Sequence, residues 1–134
     1  MDPKSGLRGL SLIDLGFRLA FWIMLAVATH QTLSPVPAEV FQLGPDTFLH
    51  LLCWSSLAVA LYLAFRKTGR YRLLLMLLFL YSVSLEFAQT LVPGRFFDTR
   101  DLLANAIGCI VGYCLVKFGE WLLSARMRGA SGSA

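Results

Sequence analysis

Residues 73–92 read LLLMLLFLYSVSLEFAQTLV. A bilayer hydrocarbon core of about 30 Å is crossed by roughly 20 helical residues, and this stretch has that length with one acidic or basic side chain, Glu86. Backbone groups in lipid must satisfy one another, so the stretch is expected to be a helix. An acid inside it is costly, on the order of 2.5–3.5 kcal/mol at mid-bilayer, and usually faces other protein. The question is what the rest of the chain supplies to surround Glu86.

Three further stretches have the same character: Leu15–Leu33, Thr47–Phe65 and Leu102–Leu123, the last interrupted late by Lys117 and Glu120. The composition agrees. Of 134 residues 57% are apolar and 15% charged, against about 45–50% and 25% in soluble domains. A soluble domain would lack polar surface, and disorder is excluded by the abundance of aliphatic and aromatic residues. The expected fold is all-α: a four-helix transmembrane bundle. Residues 1–14 are expected to form a cytoplasmic N-terminal segment, 15–123 the membrane domain and 124–134 a flexible tail.

The breaks have their own chemistry. Ser34-Pro35-Val36-Pro37 stops the first span, since proline lacks a donor and restricts its predecessor. Gly44-Pro45-Asp46 leads into the second, with Asp46 or Thr47 as N-cap. Thr68-Gly69 and Pro93-Gly94 separate the remaining spans, and Asp98 and Asp101 precede the fourth, where acids favour a helix start.

Lys and Arg near span ends set orientation. Lys4, Arg8 and Arg18 precede or open the first span; Arg66, Lys67, Arg70 and Arg72 crowd the link from second to third; Lys117, Arg126 and Arg128 mark the end. The other two links hold only Arg95 and Arg100. Both termini are therefore expected in the cytoplasm, with the other two links facing outward. The formal net charge of +4 reads as topology rather than nucleic-acid binding. Arg8, Arg18 and Ala26-Val27-Ala28 also resemble a cleavable leader, but the apolar run continues through Trp22 and Met24, and cleavage would discard a bundle helix. Cys53, Cys109 and Cys114 lie in apolar runs without CxxC spacing and read as small buried hydrophobes.

The remaining polar residues converge. Asp46, His50 and Trp54 are spaced by four; Ser82, Glu86 and Gln89 share one face; Asp101, Asn105, Gly108 and Gly112 follow 4-3-4 spacing on one stripe. Ala104, Gly108 and Gly112 form a small-residue series that admits a close neighbouring helix. With the expected orientation, Glu86 lies roughly 9 Å inside the outer end of its span, and His50 and Asn105 about 4–6 Å inside theirs. The expectation is an outward-facing polar pocket roofed by residues 93–100, or a purely structural network in which Glu86 accepts from His50 or Asn105. His30 reads as solvated, and Asp14 with Arg18 as an exposed i,i+4 pair.

The run Glu86-Phe87-Ala88-Gln89, then Pro93, Arg95, Asp98, Asp101-Leu102-Leu103-Ala104-Asn105, Gly108 and Gly112, resembles the VanZ-like family of small bacterial membrane proteins. Asp46-Thr47-Phe48-Leu49-His50 with Trp54 is similar to that family's upstream DKxxH-plus-aromatic element, although Thr47 stands where the family commonly has Lys. The Ser-Pro-x-Pro after the first span also fits. Together the matches cover roughly residues 29–116. The resemblance implies a four-helix membrane domain, and the family's founder is associated with low-level resistance to the glycopeptide teicoplanin.

From these residues the expected function is non-enzymatic: binding of an amphiphilic cell-envelope ligand, a membrane lipid or lipid-linked wall precursor, at the outer leaflet. Asp46, His50, Glu86, Gln89, Arg95, Asp98, Asp101 and Asn105 are the candidate ligand-binding residues, with Arg95 or Arg100 on an anionic headgroup. The alternatives are an intramembrane hydrolase or transferase using His50 as base, oriented by Glu86 or Asp101, and an assembly scaffold docking a second copy or another membrane protein on Gly108 and Gly112. Neither cofactor nor metal is expected, since HExxH or comparable ligand spacing is missing. No catalytic residue is assigned, for Ser82 lacks a base and no other activated nucleophile stands out.

Overall fold

The computed structural model describes residues 11–35 and 46–131. Expectations resting on Lys4, Arg8, Val36-Pro37, Gly44-Pro45 and the side chain of Asp46 lie outside the described residues. Four helices form: α1 (Leu12–Leu33), α2 (Asp46–Phe65), α3 (Tyr71–Gln89) and α4 (Thr99–Ser131), with a 3-10 turn at Arg66–Thr68 after α2. All four are long and apolar enough to cross a membrane. No strand occurs among the described residues.

Long-range contacts fix the arrangement. Arg18 near the start of α1 reaches Ala64 near the end of α2, so these helices are antiparallel. Thr47 meets Asp101 and Tyr62 meets Glu120, which makes α2 and α4 parallel. Asn105 meets Glu86, so α3 runs against α4. The result is an up-down-up-down bundle. One end, the basic end, holds the start of α1, the 3-10 turn and the later part of α4. The other, the polar end, holds the close of α1 and α3 and the starts of α2 and α4.

The most extensive interface is between α2 and α4. A β-carbon added at Gly108 would lie 2.7 Å from the Leu51 carbonyl oxygen; at Gly112 it would lie 2.5 Å from Ala58 Cβ. Glycine lets the two backbones meet, and the Ala104, Gly108 and Gly112 stripe docks within the chain. Around this seam Trp54, Leu57, Ala58 and Leu61 of α2 are buried with Cys109 and Val116 of α4. The opposite faces expose Ile23, Leu77, Leu80, Ile110 and Leu115, as lipid-facing surfaces should.

The helix ends explain where the boundaries differ from expectation. α1 starts three residues early because Ser11 and Asp14 form a reciprocal capping box. Asp14 and Arg18 are not an exposed pair. Asp14 is 3% exposed and accepts from Ser11 Oγ and Lys67 Nζ. Arg18 Nε donates to the Ala64 carbonyl at 3.3 Å, with its guanidinium over the Phe65 ring. The third span closes at Gln89 rather than Val92. There the N–H groups of Thr90, Leu91 and Val92 turn back to carbonyls three residues earlier. Pro93 and Gly94, the latter at φ +80°, then make a tight turn closed by Arg95 N–H on the Val92 carbonyl.

α4 begins at Thr99, where Asp98 Oδ1 accepts the Arg100 N–H at 2.8 Å, and it extends to Ser131. The expected flexible tail from residue 124 is therefore helical for most of its length. Residues 124–128, Ser-Ala-Arg-Met-Arg, contain no breaker, and Arg128 Nη2 reaches the Ser124 hydroxyl four residues back.

Candidate functional site

α2, α3 and α4 bring five polar side chains together at the polar end. Asn105 of α4 is the centre. Its Nδ2 donates to Glu86 Oε1 of α3 at 3.3 Å, and its Oδ1 faces His50 Nδ1 of α2 at 3.0 Å. An amide oxygen only accepts, so His50 Nδ1 carries the proton in this pair. His50 Nδ1 also lies 3.7 Å from Glu86 Oε1, an ion-pair rather than a hydrogen-bond distance. The other ring nitrogen, Nε2, is 3.9 Å from Asp101 Oδ2. Thr47 Oγ1 donates to Asp101 Oδ1 at 3.1 Å.

Burial divides the group. Glu86 and Asn105 are each 1% exposed, whereas the His50 side chain is 12% exposed. The centre is packed shut, and the imidazole and Asp101 form its accessible edge. The expected roofed pocket is at this position a closed network, because the glycine stripe below Asn105 draws α4 against α2. One buried atom is left over: Glu86 Oε2 has no hydrogen-bond partner. Buried polar groups are paired in the great majority of cases, so this orphan marks where a further donor would fit. Chemically, the arrangement holds an imidazole in one orientation, with Nε2 turned to Asp101 at the accessible edge, above a carboxylate with an open acceptor.

The other candidates are placed differently. Gln89 is 3% exposed, and its Nε2 donates to the Thr32 carbonyl at 3.1 Å. Arg95 Nε donates to the Ser34 carbonyl at 3.3 Å and its Nη2 to the Gln31 carbonyl at 3.4 Å. Both residues satisfy carbonyls that the end of α1 leaves without helical partners. Asp98 caps α4, and Ser82 is fully buried with its hydroxyl on the Phe79 carbonyl. Asp46 is the first residue of α2. His30 is exposed, within 3.4 Å of the Ser34 hydroxyl.

Thr47 enters the network although the sequence marked it only as a helix-start candidate and a departure from a pattern; its i,i+3 relation to His50 was the available signal. Among the described residues no group of three His, Cys, Asp or Glu side chains is arranged to hold a metal ion.

No curated protein and no solved structure matches the chain. A family model does: that of VanZ/LLP1, over residues 19–122. The match takes in most or all of each span and every residue of the network, and on it the chain belongs to the VanZ/LLP1 family.

Proposed function

We propose that the protein binds the polar head of an amphiphilic cell-envelope component, a lipid or lipid-linked precursor, at the outer leaflet of a bacterial inner membrane. The reading takes both termini as cytoplasmic, which the lysine and arginine distribution supports. The observation that carries it is the unpartnered Glu86 Oε2 within a three-helix polar network. A hydroxyl or amine on the ligand would complete that carboxylate once the edge formed by His50 and Asp101 parts to admit it. Arg95 is engaged with α1, so contact with an anionic group falls to Arg100, which is exposed beside the α4 N-terminus.

A protein of this kind, working where lipid meets wall, would alter teicoplanin access through the antibiotic's acyl chain. In a host whose susceptibility depends on the protein, Glu86→Gln and Arg100→Ala are expected to change teicoplanin susceptibility at unchanged membrane abundance. Unchanged susceptibility in both, at equal abundance, would sink the proposal.

The orientation of His50 favours one second reading, an intramembrane hydrolase or transferase. Asn105 and Glu86 hold the ring while Nε2 faces the accessible edge, as a general base requires. With Ser82 buried, the nucleophile would be water or a substrate hydroxyl. Turnover of a lipid-linked substrate by purified protein, lost in His50→Gln, supports this reading; inert protein leaves binding.

A further inference from the structure

The basic end holds a cleft of about 440 Å³, lined by Gly69, Arg70, Tyr71, Arg72, Leu73 and Lys117. None of these residues belongs to the polar network. Lys117 Nζ donates to Glu120 Oε2 at 2.6 Å, and Glu120 Oε1 accepts from the Tyr62 hydroxyl, so that cation is already answered. The guanidiniums of Arg70 and Arg72 are not. Both residues are exposed, and neither has a side-chain hydrogen bond or ion pair among the described residues.

The local electrostatics are inverted as well. Acids belong at a helix N-terminus and bases at its C-terminus. α3 begins with Arg70 as its N-cap residue, has no side-chain cap and carries no acid in its first turn. The N–H groups of Tyr71, Arg72 and Leu73 precede the first intrahelical acceptor. Violations of a local rule gather where a site needs them. Tyr71 anchors the arrangement: it is buried, with its hydroxyl on the Ala58 carbonyl at 3.2 Å, so the start of α3 is held while the two arginines project beside the cleft.

We propose that this cleft binds a phosphate group, which Arg70 and Arg72 grip with their planar forks and Lys117 faces from α4. One anion then answers two guanidiniums and the free N–H groups together. The phosphodiester of an anionic lipid and free phosphate share this chemistry, and Tyr71, at the first residue of a membrane-length helix, puts the cleft at the boundary where either can reach it. The site is independent of the ligand proposed for the polar end.

The test uses the full chain in nanodiscs of phosphatidylcholine with or without phosphatidylglycerol, with lipid retention read by native mass spectrometry. The variant Arg70→Gln/Arg72→Gln is compared with Arg66→Gln/Arg126→Gln, which removes the same charge from the same end outside the cleft. Wild type is expected to retain phosphatidylglycerol over phosphatidylcholine, or to bind inorganic phosphate in phosphatidylcholine discs. The cleft variant is expected to bind at least about tenfold less well than its charge-matched control, as loss of one charge-assisted hydrogen bond would give. Phosphatidylglycerol retention that millimolar phosphate leaves intact assigns the site to lipid; displacement assigns it to soluble phosphate. Equal loss in the two variants reveals only the general field of a basic end and overturns the site. So does a wild type that prefers neither probe. Matching melting temperatures establish that the variants are folded.

Discussion

At the residue scale the buried network makes two separable demands. Asn105→Ala removes the donor to Glu86 and the acceptor for His50 in one step. Each buried group left unpaired costs about 1–3 kcal/mol, and a clear fall in melting temperature in detergent is expected. Glu86→Gln keeps an acceptor for Asn105 and replaces the orphaned oxygen with a donor. Its stability is expected within about 1 kcal/mol of wild type, where isosteric change leaves the pairing intact. A Glu86→Gln protein as unstable as Asn105→Ala would show that the carboxylate is there to hold the bundle.

How much could be read in advance differs by residue. The stripe of Asp101, Asn105, Gly108 and Gly112 is legible because helical periodicity is local. Asp14 is not: its partner Lys67 lies 53 residues away. Nor is Arg95, whose acceptors are main-chain carbonyls at Ser34 and Gln31 that no side-chain pattern announces.

Among elements, α2 and α4 control the position of the site. Added atoms at Gly112 would meet Ala58 Cβ and the Ser55 carbonyl oxygen at 2.5 and 2.6 Å. Gly112→Leu is therefore expected to destabilise by about 1–3 kcal/mol or more through overpacking, and to disturb the contact between His50 and Asn105. Gly119 has nothing within 4 Å of an added β-carbon; Gly119→Ala is expected to be neutral or to stabilise by up to about 1 kcal/mol through helix propensity. Melting curves of the pair check this, and equal effects would contradict the close crossing. The GxxxG spacing was plain in the sequence, but whether its partner lay within the chain or outside it was not, since a small-residue stripe fits any close helix. Helix ends were the least legible: the capping box of Ser11 starts α1 before its apolar run, and α4 continues past its own run to Ser131.

The whole molecule is a bundle whose outside is as apolar as its inside. Ile110 is 61% exposed near the middle of α4. In water, an exposed substitution there would cost within about 0.5 kcal/mol. In a bilayer, Ile110→Arg is expected to cost about 2.5–3.5 kcal/mol, visible as lost membrane insertion or yield. Full yield of that variant would contradict the four-span reading. The span count was legible because it rests on apolar run length, a property of the sequence alone. The closed state of the polar end was not, because it depends on how tightly α2 and α4 meet.

That principal interface joins helices that are not consecutive, and this has a consequence for biogenesis. During synthesis α2 and α3 enter the membrane before α4 exists, so Glu86 and His50 spend that interval without Asn105. The bundle closes only when the fourth span arrives and its glycines slot against α2. Until then the nascent chain carries an unshielded intramembrane acid, a feature that insertion factors and membrane proteases can sense. Chains stalled between α3 and α4 should accordingly be short-lived.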